Sequence, residues 1–183
     1  MKLFQIAGAL IISSMVITGT DLQAQNTAKS MTAAKKDERP SPPMVAKTNV
    51  GGNLEIAVTY SAPAAKGRKI FGDLVAFDQV WRTGANETTT IEVSRDSKIA
   101  GNGLKKGRYA LFTIPGEKEW TIIVNTDADG WGAYKYNKEK DVFRFNVAPS
   151  KSSKFYERFT VEITEEGQIS LNWENTTVSF NIY

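Results

Sequence analysis

The chain has 183 residues, 23 basic against 20 acidic for a net charge of +3, and contains neither cysteine nor histidine. Those two absences exclude disulfides, a Cys nucleophile, an imidazole base, a Ser-His-Asp triad and any His/Cys zinc site. The positive excess is spread along the chain instead of forming one basic face, which argues against nucleic-acid binding.

Residues 1–24 read as a signal peptide. Met1-Lys2 gives a positive start, Leu3 to Thr18 is an apolar run interrupted by Gln5, Gly8, Ser13 and Ser14, and Leu22-Gln23-Ala24 offers a small residue for cleavage. The run is short for a hydrocarbon layer of about 30 Å, so a retained anchor is the weaker alternative, and no cysteine follows it for lipid attachment. Cleavage implies a periplasmic or secreted protein with no membrane span. Residues 25–43 are polar, lack aromatics and end in Ser41-Pro42-Pro43. They read as a flexible tether, with a short helix over Lys29 to Glu38 as the alternative. The remaining stretch, 44–183, is long enough for one domain with its own core.

From Met44 onward the hydrophobic period is two. Leu54, Ile56, Val58 and Tyr60 alternate with polar neighbours, as do Thr89, Ile91 and Val93, and Phe143, Phe145 and Val147. Arg108 to Ile114 and Trp120 to Val124 are apolar on both faces, which predicts central strands covered on both sides, joined by a turn at Pro115-Gly116. The C-terminus reads as a three-stranded meander. Phe159, Val161 and Ile163 lead to a turn at Glu165-Glu166-Gly167. Ile169, Leu171 and Trp173 follow, and a second turn near Asn175 precedes Val178, Phe180 and Ile182.

No helical period is sustained. About nine or ten short strands predict an all-β fold, an antiparallel β-sandwich or flattened barrel, jelly-roll-like or Ig-like. Tyr109, two residues after Gly107, is placed like the tyrosine corner of sandwich domains.

Two long strings carry a family resemblance. One is Lys66-Gly67-Arg68-Lys69-Ile70-Phe71-Gly72 with Val80-Trp81-Arg82-Thr83-Gly84-Ala85-Asn86-Glu87-Thr88-Thr89. The other is Gly107 to Gly116 followed by Trp120, Asn125 and Trp131-Gly132. In order and spacing they resemble domain of unknown function family 2911 over about Pro40 to Tyr183. The resemblance implies an exported protein of the Bacteroidetes type. It brings no activity and no catalytic residue.

Four segments carry candidate chemistry. Trp81-Arg82-Thr83-Gly84-Ala85-Asn86-Glu87 combines an aromatic face, a guanidinium, an amide and a carboxylate, a set that can stack on a sugar or clamp an anion. The alternative is structural: Trp81 as core anchor, Arg82 paired with Glu87, and Gly84 as a turn residue with positive φ. Lys66-Gly67-Arg68-Lys69 places three cations in four residues, so Arg68 is a candidate anion ligand unless the loop is merely solvated. Asn125-Thr126-Asp127-Ala128-Asp129-Gly130 resembles the opening of a calcium loop, but its twelfth position is Tyr136 where a Glu is needed, so it reads as an Asx-rich turn. Trp131-Gly132-Ala133-Tyr134-Lys135-Tyr136 offers either a ring platform through Trp131 and Tyr134 or aromatics that cap the core.

Three function classes follow: a binding module for a small ring-bearing or anionic ligand such as a glycan, a structural or protein-interacting envelope domain, or a carbohydrate-active enzyme that works without His or Cys. The last needs two carboxyls, or a Tyr with an Arg, converging in a cleft; adjacent Glu117 and Glu119, or Glu165 and Glu166, read as solvated turn residues. No metal or cofactor is expected.

Overall fold

The computed structural model describes residues 39–183. The predicted signal peptide and the tether up to residue 38, with its alternative helix, lie outside the described residues.

Among the described residues ten strands follow in chain order: β1 (Pro43–Val50), β2 (Leu54–Ser61), β3 (Thr90–Val93), β4 (Ser97–Ile99), β5 (Asn102–Leu104), β6 (Gly107–Ile114), β7 (Trp120–Asn125), β8 (Asp141–Val147), β9 (Ser150–Ile163) and β10 (Gln168–Asn181), with one 3-10 turn at Lys138–Lys140. Six of them form one antiparallel sheet in the order β1-β2-β3-β6-β7-β8. The second layer is the β9–β10 ribbon. The β4–β5 hairpin joins it through the C-terminal residues: Lys98 N donates to Tyr183 O at 2.7 Å, and Tyr183 N to Lys98 O at 3.0 Å.

The period-two pattern explains the layering. Leu54, Ile56, Val58 and Tyr60 are all buried, whereas Glu55 and Thr59 between them are exposed. The inner face of the sheet contributes Ile56, Val58, Ile91, Val93, Leu111, Ile122 and Val124 to the main core, and the ribbon contributes Phe159, Val161, Ile169, Leu171, Trp173, Val178 and Phe180. Each such side chain is worth about 1.5–3 kcal/mol when fully buried, which allows the sandwich to stand without disulfides. Ala110, Phe112 and Ile123 point to the opposite face of β6 and β7 and form a second, smaller core under Val80, Ala133 and Tyr136. Covering on both faces is why these two strands read as continuously apolar. The Tyr109 hydroxyl donates to Lys105 O at 3.0 Å, four residues upstream, as in a tyrosine corner.

Two expectations change. The turn near Asn175 does not exist: β10 runs unbroken from Gln168 to Asn181, with register shifts against β9 at Asn172/Glu174 and at Glu174/Thr176. A bulge accommodates the out-of-phase residues that looked like a turn, and Glu174 absorbs it with φ of +50°. The predicted tether is also already fixed before Met44. Pro42 O accepts from Ala62 N at 2.9 Å, Pro40 O from Arg158 Nη1 at 3.1 Å, and Ser41 O from Asn86 Nδ2 at 3.1 Å. The prolines that suggested a free linker lack an N–H but keep their carbonyls, and those carbonyls are the groups that are bound.

Candidate functional site

β3 begins only at Thr90, so the place beside Thr113 on β6 is left to an isolated stretch of chain, and Trp81 fills it. Trp81 N donates to Thr113 O at 2.7 Å, and Trp81 O accepts from Thr113 N at 2.9 Å. The chain then turns sharply through Thr83 at φ +57°, Gly84 at φ +156° and Asn86 at φ +58°. A β-branched residue with positive φ is rare and costs roughly 1–3 kcal/mol. Here the buried Thr83 is held by its Oγ1 against Thr113 Oγ1 at 3.2 Å and by Thr89 Oγ1, which donates to its carbonyl at 2.7 Å. A Cβ on Gly84 would stand 3.0 Å from both Ser61 O and Thr89 Oγ1, so a side chain there would crowd a backbone carbonyl at a positive φ that glycine adopts freely. Strain held in place by this many bonds sets the directions of Trp81 and Arg82.

The Trp81 indole lies over an aromatic cluster. It stacks on Trp173 with ring centres 5.9 Å apart and meets Phe71, Phe159 and Trp120 edge-on. Its Nε1 donates to Gly84 O at 3.0 Å. Above this floor opens a cleft of about 380 Å³, walled by Pro40, Ser41, Pro63, Leu74 and Val75. Lys66, Arg68 and Arg82 all line it, and among the described residues no carboxylate does. Arg68 Nε and Nη2 donate to Ala65 O at 3.0 Å and Ala64 O at 2.7 Å, which fixes its guanidinium while Nη1 takes part in neither bond. Arg82 Nη1 donates to Asn86 O at 3.0 Å, and its Cζ lies 5.9 Å from the Tyr134 ring centre.

The structure therefore gathers Arg68, Trp81 and Arg82 into one cleft. Asn86 and Glu87 adjoin it in another capacity. The Asn86 amide holds Ser41, and Glu87 accepts from Arg39 at 2.8 and 3.1 Å and from Ser61 Oγ at 3.3 Å. The alternative pairing of Glu87 with Arg82 is thus replaced by one with Arg39, because the positive φ at Asn86 turns the two side chains apart. Burial pushes the Glu87 carboxyl up, but the hydrogen bond and charge of Arg39 outweigh it and hold the group below its ordinary range.

Trp131 and Tyr134 are separate from the cleft floor. They are 59% and 83% exposed, on a loop whose backbone pairs with the Glu87 segment. Tyr134 lies against Arg82 and shares a smaller recess with Val80, Trp81 and Ala133, and Trp131 does not line the cleft. Tyr136 is the ring that caps: it packs edge-on against Phe112 at 5.1 Å. Its hydroxyl donates to Asp141 and accepts from Arg144, while Asn125 Nδ2 donates to Asp141 at 2.8 Å. Burial, then the hydrogen bond to Asp141, pushes the Tyr136 phenol up to about 12, far from a useful acid or base at neutral pH. Asn125 Oδ1 accepts from Asp127 N at 2.8 Å in an Asx turn, and Asp127 and Asp129 face Lys140 and Arg108 respectively. The oxygens that resembled a calcium loop thus diverge to separate partners.

Sequence reasoning missed Trp173, Leu74, Val75 and the Pro40-Ser41 wall. Trp173 carries the even spacing of a core position, and nothing local shows that it stacks on Trp81.

The fold and the cleft define an all-β sandwich with a cationic, tryptophan-floored recess beside its loops. The chain belongs to the family described as "Protein of unknown function (DUF2911)", whose model matches residues 41–182. No curated protein and no solved structure gives a match. Among the described residues no helix is long and apolar enough to cross a membrane.

Proposed function

We propose that this domain is a binding module for a small anionic ligand with a flat or ring-shaped apolar face, such as an acidic sugar. One observation carries the reading: Lys66, Arg68 and Arg82 line a cleft that receives no carboxylate from the described residues and is floored by the stacked Trp81 and Trp173. Guanidinium groups take carboxylate or phosphate oxygens in a planar fork, and an indole face accepts the apolar side of a ring. A recess of this size and mixed lining is the usual form of a small-molecule site. The strained turn at Thr83 and the clasp on residues 39–42 support it, since both hold the cleft in shape before any ligand arrives. Export to the periplasm or beyond is proposed from residues 1–24 alone.

Calorimetric titration with glucuronate, galacturonate and glucose 6-phosphate tests the proposal. Binding should weaken as salt rises, and should fall about tenfold in Arg82→Lys, which keeps the charge and loses the fork. Failure of all three anions to bind, or binding indifferent to both salt and Arg82→Lys, would overturn it.

A further inference from the structure

A second cleft, of about 280 Å³, opens where the 70–77 loop, the β6–β7 turn and the bulged part of β10 come together. Phe71 and Phe77, both half-buried, form its apolar side with the edge of Trp120. Its polar side is Glu117, Ser150, Lys151, Asn175 and Thr176, of which Ser150 already donates to Thr177 O at 3.3 Å.

Three observations bear on what this cleft can bind. First, the β10 bulge delivers Asn175 and Thr176 to it. Both shifts of register fall at Glu174, a non-glycine residue with φ of +50° whose carboxylate accepts from Ile70 N at 3.3 Å. Bulges commonly re-aim side chains at sites, and backbone held in a sparsely populated conformation points the same way. Second, the side chains of Glu117, Lys151, Asn175 and Thr176 make no hydrogen bond or ion pair among the described residues. Polar neighbours do: Thr177 Oγ1 donates to Asn172 Oδ1 at 2.7 Å, and Asn146 Nδ2 to Glu119 at 2.8 Å. Third, the charges balance, one carboxylate against one ammonium, in contrast to the three cations of the first cleft.

We infer that this second cleft binds an uncharged, hydroxyl-rich ring, a neutral sugar unit. Sugar hydroxyls both donate and accept, and so satisfy a set that mixes a carboxylate, an ammonium, an amide and a hydroxyl. The apolar C–H face of such a ring packs on Phe71 and Phe77. An anion would meet Glu117, and a purely apolar ligand would leave four polar groups unpaired. The inference does not depend on the first cleft binding anything.

The test is a titration of the ¹⁵N-labelled domain with glucose, galactose, mannose, N-acetylglucosamine, maltose and cellobiose, followed by NMR. At least one should shift the Asn175 side-chain amide and the backbone amides of Gly116 and Thr176. Its affinity should fall about tenfold in Asn175→Ala, an exposed position that leaves the fold intact, and should change less than about twofold in Arg82→Lys or with added salt. Phe77→Ala, checked for folding by its spectrum, should weaken it as well. If no sugar shifts these signals, or if the shifts survive Asn175→Ala and Phe77→Ala unchanged, the inference fails. Sugar binding lost in Arg82→Lys but kept in Asn175→Ala would assign the sugar to the first cleft and refute this one.

Discussion

Trp81 and Trp173 lie nearly parallel, ring centres 5.9 Å apart and planes 18° apart, one held beside the six-stranded sheet and the other by the ribbon. Trp173 is 2% exposed and Trp81 is half-buried, so a single stacked pair joins the core to the cleft. Altering the lower ring should therefore act on folding first, and altering the upper ring on the cleft first.

Trp173→Ala should remove about 3–5 kcal/mol of unfolding free energy, the usual loss for a large buried aromatic. Arg82→Lys should shift the melting temperature by no more than about 2 °C, because among the described residues its guanidinium bonds only the Asn86 carbonyl and faces the exposed Tyr134 ring. Urea titrations of both variants check this. A strongly destabilised Arg82→Lys would make Arg82 a structural residue and weaken the case for a ligand clamp.

Gly167→Ala should destabilise the domain by roughly 2 kcal/mol or more. A Cβ there would stand 2.0 Å from Ile182 O and 3.1 Å from Val50 Cγ1, at φ of +88°. Flexible side chains cannot relieve the first contact, because it is with the backbone, and Gly167 O itself accepts from Ile182 N at 2.8 Å. A normal melt for this variant would mean that the β9–β10 turn is free to move away from the C-terminus.

Glu87→Gln should cost little at neutral pH, about 0.2–1 kcal/mol, since the Arg39–Glu87 pair is partly exposed. The pH dependence is the sharper measurement. With its carboxyl held below the ordinary range, Glu87 contributes stability that is present above the unfolded-state pKa near 4.5 and is lost as the pH falls through the lower folded value. Melting curves of the two proteins should therefore differ at pH 7 and draw together as the pH falls below about 4.5. A gap unchanged across that range would show that the ion pair is not its source.

Most of the fold was legible because alternation is a local signal: Leu54 to Tyr60 and Phe159 to Trp173 announce their buried faces in their own order. The unbroken course of β10 was not legible, because a bulge at Glu174 shifts the alternation by one residue and reads like a turn at Asn175. The cleft was half legible. Arg68, Trp81 and Arg82 stood out by residue type, and they meet because Trp81 bridges to Thr113 while Arg68 folds back on Ala64 and Ala65. Trp173 and the Pro40-Ser41 wall come from distant parts of the chain, and their placement depends on tertiary bonds such as Arg158 to Pro40 that no local pattern encodes.

Tyr136 gives the last prediction, at the alkaline end. Its hydroxyl bonds both Asp141 oxygens, at 3.0 and 2.8 Å, and receives the Arg144 guanidinium, whose Nε lies 2.5 Å from Asp141. Burial and the adjoining carboxylate raise the phenol to about 12 from an ordinary value of 10.0. The neutral form is the one favoured in the fold, so the stability it contributes is complete below pH 10 and is lost as the pH rises through about 12. In a phenolate absorbance titration at about 295 nm, Tyr136→Phe should lose one late-titrating component of the native curve. At neutral pH the same substitution should lower stability by about 1 kcal/mol, because a partly buried hydrogen bond to Asp141 is removed while Arg144 and Asn125 still satisfy the carboxylate. That deficit should shrink between pH 10 and pH 12, where the wild-type phenol itself ionises. If the variant titrates like wild type, the Tyr136 hydroxyl is not held by Asp141, and the 126–140 loop must be anchored by other contacts.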